Sequence, residues 1–154
     1  MNVREFGRDY FVEVGTTLCE TALTGVSAIP ASGGYWDVSM CDYVHVVGHL
    51  GTIHPSDSPT FELQCAEAAD GTLDAISATA LKFTPAVTDD GQMIMWDIKV
   101  DTLPADHHYL GIAVAGTLTN GSYADFMVFK GRLSIPVSQS ATQISSSAIM
   151  RWLS

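Results

Sequence analysis

Strict alternation of apolar and polar residues is the feature that most narrows what this chain can fold into. In Thr60–Glu67, Phe61, Leu63 and Cys65 fall on one side and Glu62, Gln64 and Ala66 on the other. Gln92–Val100 repeats the pattern, with Ile94, Trp96, Ile98 and Val100 opposed to Met93, Met95, Asp97 and Lys99. A period of two puts successive side chains on opposite faces of a sheet, so both segments are expected to be strands with one core-facing side. Cys41–Leu50, rich in β-branched residues, and Tyr109–Ala115 and Tyr123–Ile135 read as further strands.

Turn chemistry punctuates these runs. Leu23–Asp37 reads as a loop around Pro30 and Ser32-Gly33-Gly34, and His54–Pro59 as another, because its two prolines cannot donate to a ladder. Asp70-Gly71 and Leu103–Asp106 mark turns. Asp89-Asp90-Gly91 is expected to join a strand within Ser77–Thr84 to the Gln92 strand as a hairpin, and Asn120-Gly121 is the strongest hairpin signal in the chain. Asp70–Leu81 is open to a short helix instead. About eight short strands with regular turns predict an all-β, antiparallel β-sandwich or jelly-roll-like single domain with extended termini. Residues 1–12 form an arm or first strand, 13–137 the sandwich and 138–154 a C-terminal arm.

Composition limits the partners. Charged residues make up 16% of the 154, against about 25% in ordinary soluble domains, which points to apolar surface buried on another chain, with an unusually dry monomer as the alternative. Ala124–Phe129 agrees: it is apolar on both faces, as expected between two layers or under a partner subunit. The net charge of −10 and seven scattered basic residues argue against nucleic acid and against an anionic membrane surface. No apolar leader or uninterrupted membrane span is visible. Cys19, Cys41 and Cys65 are odd in number and widely spaced, and read as buried small apolar residues of a protein made in a reducing cytoplasm.

No constellation compels chemistry. His45 and His49 share one face of a strand but stand about 13 Å apart, too far to ligate one metal on a straight strand. His54, His107 and His108 fall in loops, and Asp89-Asp90-Gly91 lacks the twelve-residue calcium pattern. Asp97, Asp101 and Asp106 read as solvated charge, and Cys65 faces the core, which makes it an inert thiol. There is no nucleophile elbow, phosphate loop or dinucleotide fingerprint. Tyr35, Trp36, Tyr43 and Trp96 read as core packing, with a sugar or peptide groove as the alternative. The expectation is a non-enzyme with no cofactor and no metal. Phe6, Tyr10, Phe11 and Ile149, Trp152, Leu153, apolar residues outside the regular strands, are the expected assembly contacts. Removing residues 140–154 is accordingly expected to weaken association and leave the β fold intact.

The order of features resembles that of tailed-bacteriophage structural proteins, the head decoration or cement proteins and their relatives. The resemblance spans Thr21–Gln139. It rests on the small-residue start Thr21–Gly25, FELQCAEAADGTLDAI (61–76), TDDGQMIMWDIKV (88–100), HHYLGIAVAG (107–116) and FKGRLSIPVSQ (129–139). The chain departs from that group in its Met- and Trp-rich hairpin and its longer hydrophobic C-terminal end. The resemblance implies a sandwich or jelly roll on the outer face of a shell, bound to the major capsid protein and to copies of itself, as trimers, in the virion. A phage tail or adsorption component, or a carbohydrate-binding sandwich, is the alternative it leaves open. An enzyme would need His45, His49 and a carboxylate gathered within hydrogen-bonding reach.

Overall fold

Ten strands stand among the described residues of the computed structural model, which are 22–76, 81–131 and, for the backbone, 10–14. They are β1 (Tyr10–Val14), β2 (Ala28–Ile29), β3 (Trp36–Asp37), β4 (Tyr43–Leu50), β5 (Thr60–Ala66), β6 (Asp74–Ala75), β7 (Lys82–Phe83), β8 (Met93–Lys99), β9 (Tyr109–Ala115) and β10 (Ala124–Gly131). One sheet runs β1-β10-β4-β8; the other runs β2-β9-β5-β6, with β3 also on β9 and β7 also on β5. Every pairing is antiparallel. The two sheets pack face to face as an all-β sandwich, as the alternation predicts.

The periodic segments fold as read. In β8, Ile94, Trp96 and Ile98 are buried while Met93, Met95, Asp97 and Lys99 are exposed. In β5, Phe61, Leu63 and Cys65 are fully buried. Val44, Val46 and Leu50 of β4 and Phe126 and Val128 of β10 fill the first sheet's inner face; Leu110, Ile112 and Val114 of β9 line the second. Phe61 and Phe126 join the layers, ring centroids 5.2 Å apart at 58°, and Phe126 stacks on Trp96 at 6.1 Å. β10 lies between β1 and β4, and its outward Asp125 is buried while Met127 and Phe129 are half-buried. Trp36 and Trp96 are core residues, Tyr35 is buried against Gly111 outside the core cluster, and Tyr43 is half-buried.

Five local readings need correction. Asp89-Asp90-Gly91 does not close a hairpin: the strand before it, β7, pairs with β5 in one sheet, and β8 pairs with β4 in the other. Asn120-Gly121 likewise carries the chain across the sandwich, from β9 in the second sheet to β10 in the first. Both glycines take the positive φ that a tight turn requires, +74° at Gly91 and +86° at Gly121, so the turn chemistry is right and the pairing is not. The expected strand in Ser77–Thr84 is reduced to Lys82–Phe83, residues 77–80 lying outside the described ones. The helix alternative for Asp70–Leu81 is replaced at Asp74–Ala75 by β6, and the Leu23–Asp37 loop carries the short β2 and β3.

Candidate interaction surface

The outer face of the first sheet is built in rows across the strands. Met95 of β8 pairs with Val47 of β4, which pairs with Met127 of β10. In the same way Met93 lines up with His49 and Asp125, and Asp97 with His45 and Phe129. Residues two apart on a strand share a face, so these rows form one continuous surface. Its centre is apolar. Met93 and Met95 are each 65% exposed, and Val47, Met127 and Phe129 are half-buried around them. Unbranched, polarizable Met side chains adapt to an irregular partner surface.

Polar groups frame this band. His45 Nδ1 lies 2.6 Å from Asp97 Oδ1, and Lys99 donates to Asp101 at 2.5 Å. The carboxylate of Asp101 holds the Lys99 ammonium above its ordinary pKa of 10.5, so the group stays charged throughout the neutral range. The cross-strand neighbours of His45 are Asp97 and Phe129. His49 is exposed on the same face two rows away. The outer face of the second sheet is different in kind. β5 presents Glu62 and Gln64 there, and Tyr35 and Leu73 cover Gly111 of β9.

A carboxylate that sequence reasoning missed organises one end of the sandwich. Asp57, in the His54–Pro59 loop, is buried. It accepts hydrogen bonds from the backbone N–H of Thr119 (3.0 Å) and Asn120 (3.1 Å), from Asn120 Nδ2 (2.9 Å) and from Ser122 Oγ (2.8 Å). Burial by itself would raise its pKa; the donors from Asn120, Ser122 and Thr119 outweigh burial and hold the carboxyl well below the usual carboxylate range. Its partners lie more than sixty positions away in the chain, so no local pattern announces it. The neighbouring glycine is constrained too: Gly116 has φ +99°, and a Cβ there would run into the Ser58 carbonyl.

Among the described residues no group of three or more His, Cys, Asp or Glu is placed to hold a metal ion, and no helix is long and apolar enough to cross a membrane. Cys41 and Cys65 are buried free thiols; Cys19 lies outside the described residues. An open pocket beside the first sheet is lined by Cys41, Asp42, Tyr43, Lys99, Val100 and Asp101. Of the expected assembly contacts, Tyr10 and Phe11 stand in β1, in register with Gly131 and Lys130. Phe6, Ile149, Trp152 and Leu153 lie outside the described residues. No protein-family model matches the chain, and searches of curated proteins and of solved structures return no significant match.

Proposed function

We propose that this chain is a non-enzymatic virion structural protein that binds and stabilises the outer face of a phage capsid shell, docking through the outer face of its β1-β10-β4-β8 sheet. The observation that carries the reading is the Met95–Val47–Met127 row, an apolar strip crossing three strands with Met93 and Phe129 beside it. Water-exposed side chains of this size are stabilised when a partner covers them, at about 25 cal/mol per Å² of apolar area removed from water. A surplus of acids, 17 against 7 bases, keeps the rest of the molecule off packaged nucleic acid. The partner is the major capsid protein, with further copies of this chain, grouped as trimers, beside it. The mechanism is mass action: a protein that binds only the expanded shell lowers the free energy of that state and opposes its rupture. Many copies on one lattice multiply a small contribution from each.

The test is co-sedimentation of the purified protein with empty expanded shells assembled from the major capsid protein of the same genome. Saturable binding at a fixed ratio, with a raised shell melting temperature, supports the proposal. Binding that survives Met93→Asp with Met95→Asp removes the assigned surface. Absence of binding removes the capsid assignment and moves the same surface to a tail or adsorption partner.

A further inference from the structure

His107 lies in the loop between the 3-10 turn Val100–Thr102 and β9, and its ring meets an acceptor at each nitrogen. Nδ1 is 3.1 Å from the Ala105 carbonyl oxygen, and Nε2 is 3.3 Å from Oδ2 of Asp74 in β6. A carbonyl oxygen and an ionised carboxylate only accept, and a neutral imidazole carries a single N–H. Both contacts are hydrogen bonds only when the ring is the doubly protonated imidazolium. Its side chain is 14% exposed, so the charge sits largely out of water and depends on these partners.

The segment that the ring holds has few other fastenings. β6 is two residues long and pairs with β5 only through Gln64↔Ala75 and Cys65↔Asp74. Upstream, the Ala69 carbonyl accepts from the Gly33 and Tyr35 amides at 2.9 and 3.4 Å, which lays this stretch across the second sheet. Leu73 and Tyr35 then close over Gly111, where a Cβ would stand 3.1 and 3.0 Å from their side chains. Beyond the Ala69 carbonyl and a 3.4 Å bond from Ser32 Oγ to the Asp70 carbonyl, the stretch is held by two ladder pairs and side-chain contacts, and it opens at low free-energy cost compared with core strands.

We propose that the His107–Asp74 contact is a pH-sensitive clasp that fastens segment 67–75 over the outer face of β9, closed while the ring carries both protons and released when it loses one. Neutral His107 has one N–H, kept at Nδ1 on the nearer Ala105 carbonyl; Nε2 then turns a lone pair toward the Asp74 carboxylate, and that contact is lost. Asp74 from β6 and Glu67 just beyond β5 both face the ring as anions, Asp106 and His108 flank it in its own loop, and the Cys65 thiol donates to the Asp74 carbonyl from β5. The Ala105 carbonyl first, then Asp74 and Glu67, raise the ring's pKa from its ordinary 6.5 against the opposing effect of burial. A group raised on folding contributes its full stabilisation below the unfolded value and loses it as pH rises through the folded one. The clasp therefore opens on the alkaline side and exposes Leu73 and the Tyr35 ring. This device is independent of the docking face, since it sits on the other sheet.

The experiment is an NMR titration of the His107 ring in the full chain. It is combined with hydrogen exchange at the Gln64 and Ala75 amides, corrected for intrinsic rates, from about pH 5.5 to 8.5. The expected result is a midpoint above 6.5, both ring nitrogens protonated below it, and protection falling about tenfold or more through it. Asp74→Asn lowers the midpoint and removes the step in protection. His107→Gln, which retains one donor, makes protection independent of pH. A His107 midpoint at or below 6.5 overturns the proposal, as does protection that ignores the titration or a step that survives Asp74→Asn.

Discussion

Gly48→Ala turns a substitution that ordinarily stabilises a strand into one that damages this core. Gly48 sits opposite Phe126 on β10 and Ile94 on β8. A Cβ at this position would lie 2.7 Å from Cδ1 of the Phe126 ring and 3.1 Å from Cζ, against about 3.5–4.0 Å for carbons at ease. The ring cannot retreat, because it is fully buried between Phe61 and Trp96, to which it is packed at 58° and 4° respectively. Removing glycine from a strand interior favours folding by about 0.5–1 kcal/mol, while forcing a methyl into a filled core costs about 1–3 kcal/mol. The difference runs from about zero to a net loss of about 2.5 kcal/mol, centred slightly above 1 kcal/mol, which at the centre is a fall in Tm of about 2–5 °C for a chain of this size. Urea unfolding followed by fluorescence of the buried Trp36 and Trp96 reads it directly. In a Phe126→Leu background the smaller side chain vacates the space, so Gly48→Ala should become neutral or favourable there, a coupling of about 1 kcal/mol or more. The reasoning fails if Gly48→Ala matches or exceeds the parent in stability, or loses the same amount in both backgrounds.

Three further outcomes follow from other parts of the molecule. Met93→Ser with Met95→Ser should leave stability within about 0.5 kcal/mol of the parent, because both side chains face water, yet weaken shell binding about tenfold or more in a sedimentation titration. Asp57→Asn presents an amide to donors that need an acceptor and should lower Tm at neutral pH. Because folding depresses this carboxyl, its stabilisation is present above the ordinary value of 3.8 and drains away as pH falls below it. Thermal scans of the parent should show that acid loss, and scans of the variant should lack Asp57's share. Burial and then the Asp74 charge push the Cys65 thiol up, so iodoacetamide should modify it on the order of a hundredfold faster after unfolding than before, as mass spectrometry of the labelled peptide would show.

How legible each part was depended on how far its cause lay along the chain. Phe61, Leu63 and Cys65 declare their face because burial on one side of a strand leaves its mark on successive residues, and Met93, Met95 and Asp97 declare the opposite face in the same way. The two-residue strands β2, β3, β6 and β7 are too short to carry a period. Asp89–Gly91 and Asn120-Gly121 encode a reversal of the backbone, a local property of φ; which strands then hydrogen-bond is decided by the packing of two layers. The apolar outer face proposed for docking was half visible. Residues 93–99 showed Met93 and Met95 pointing away from the core, and 124–129 showed a strand apolar on both sides. Only the β4–β8 and β4–β10 registers place Met95, Val47 and Met127 in one row.

The position of β10 has a consequence for how the protein is made. It is the last described strand in the chain, yet it stands inside the first sheet and bridges β1 to β4. On the ribosome, the one neighbour β1 has among the described residues, β10, arrives only after some 120 further residues have been synthesised, and Trp96 and Phe61 wait for the Phe126 ring that packs between them. With nearest partners so distant in sequence, closure is slow by the standards of small domains, on the order of milliseconds to seconds. During elongation the half-built sheet offers β4 with one side paired and the other open, a template for any extended chain nearby. A ribosome stalled before residue 124 would thus hold an adhesive intermediate, and emergence of β10 is the event that seals it.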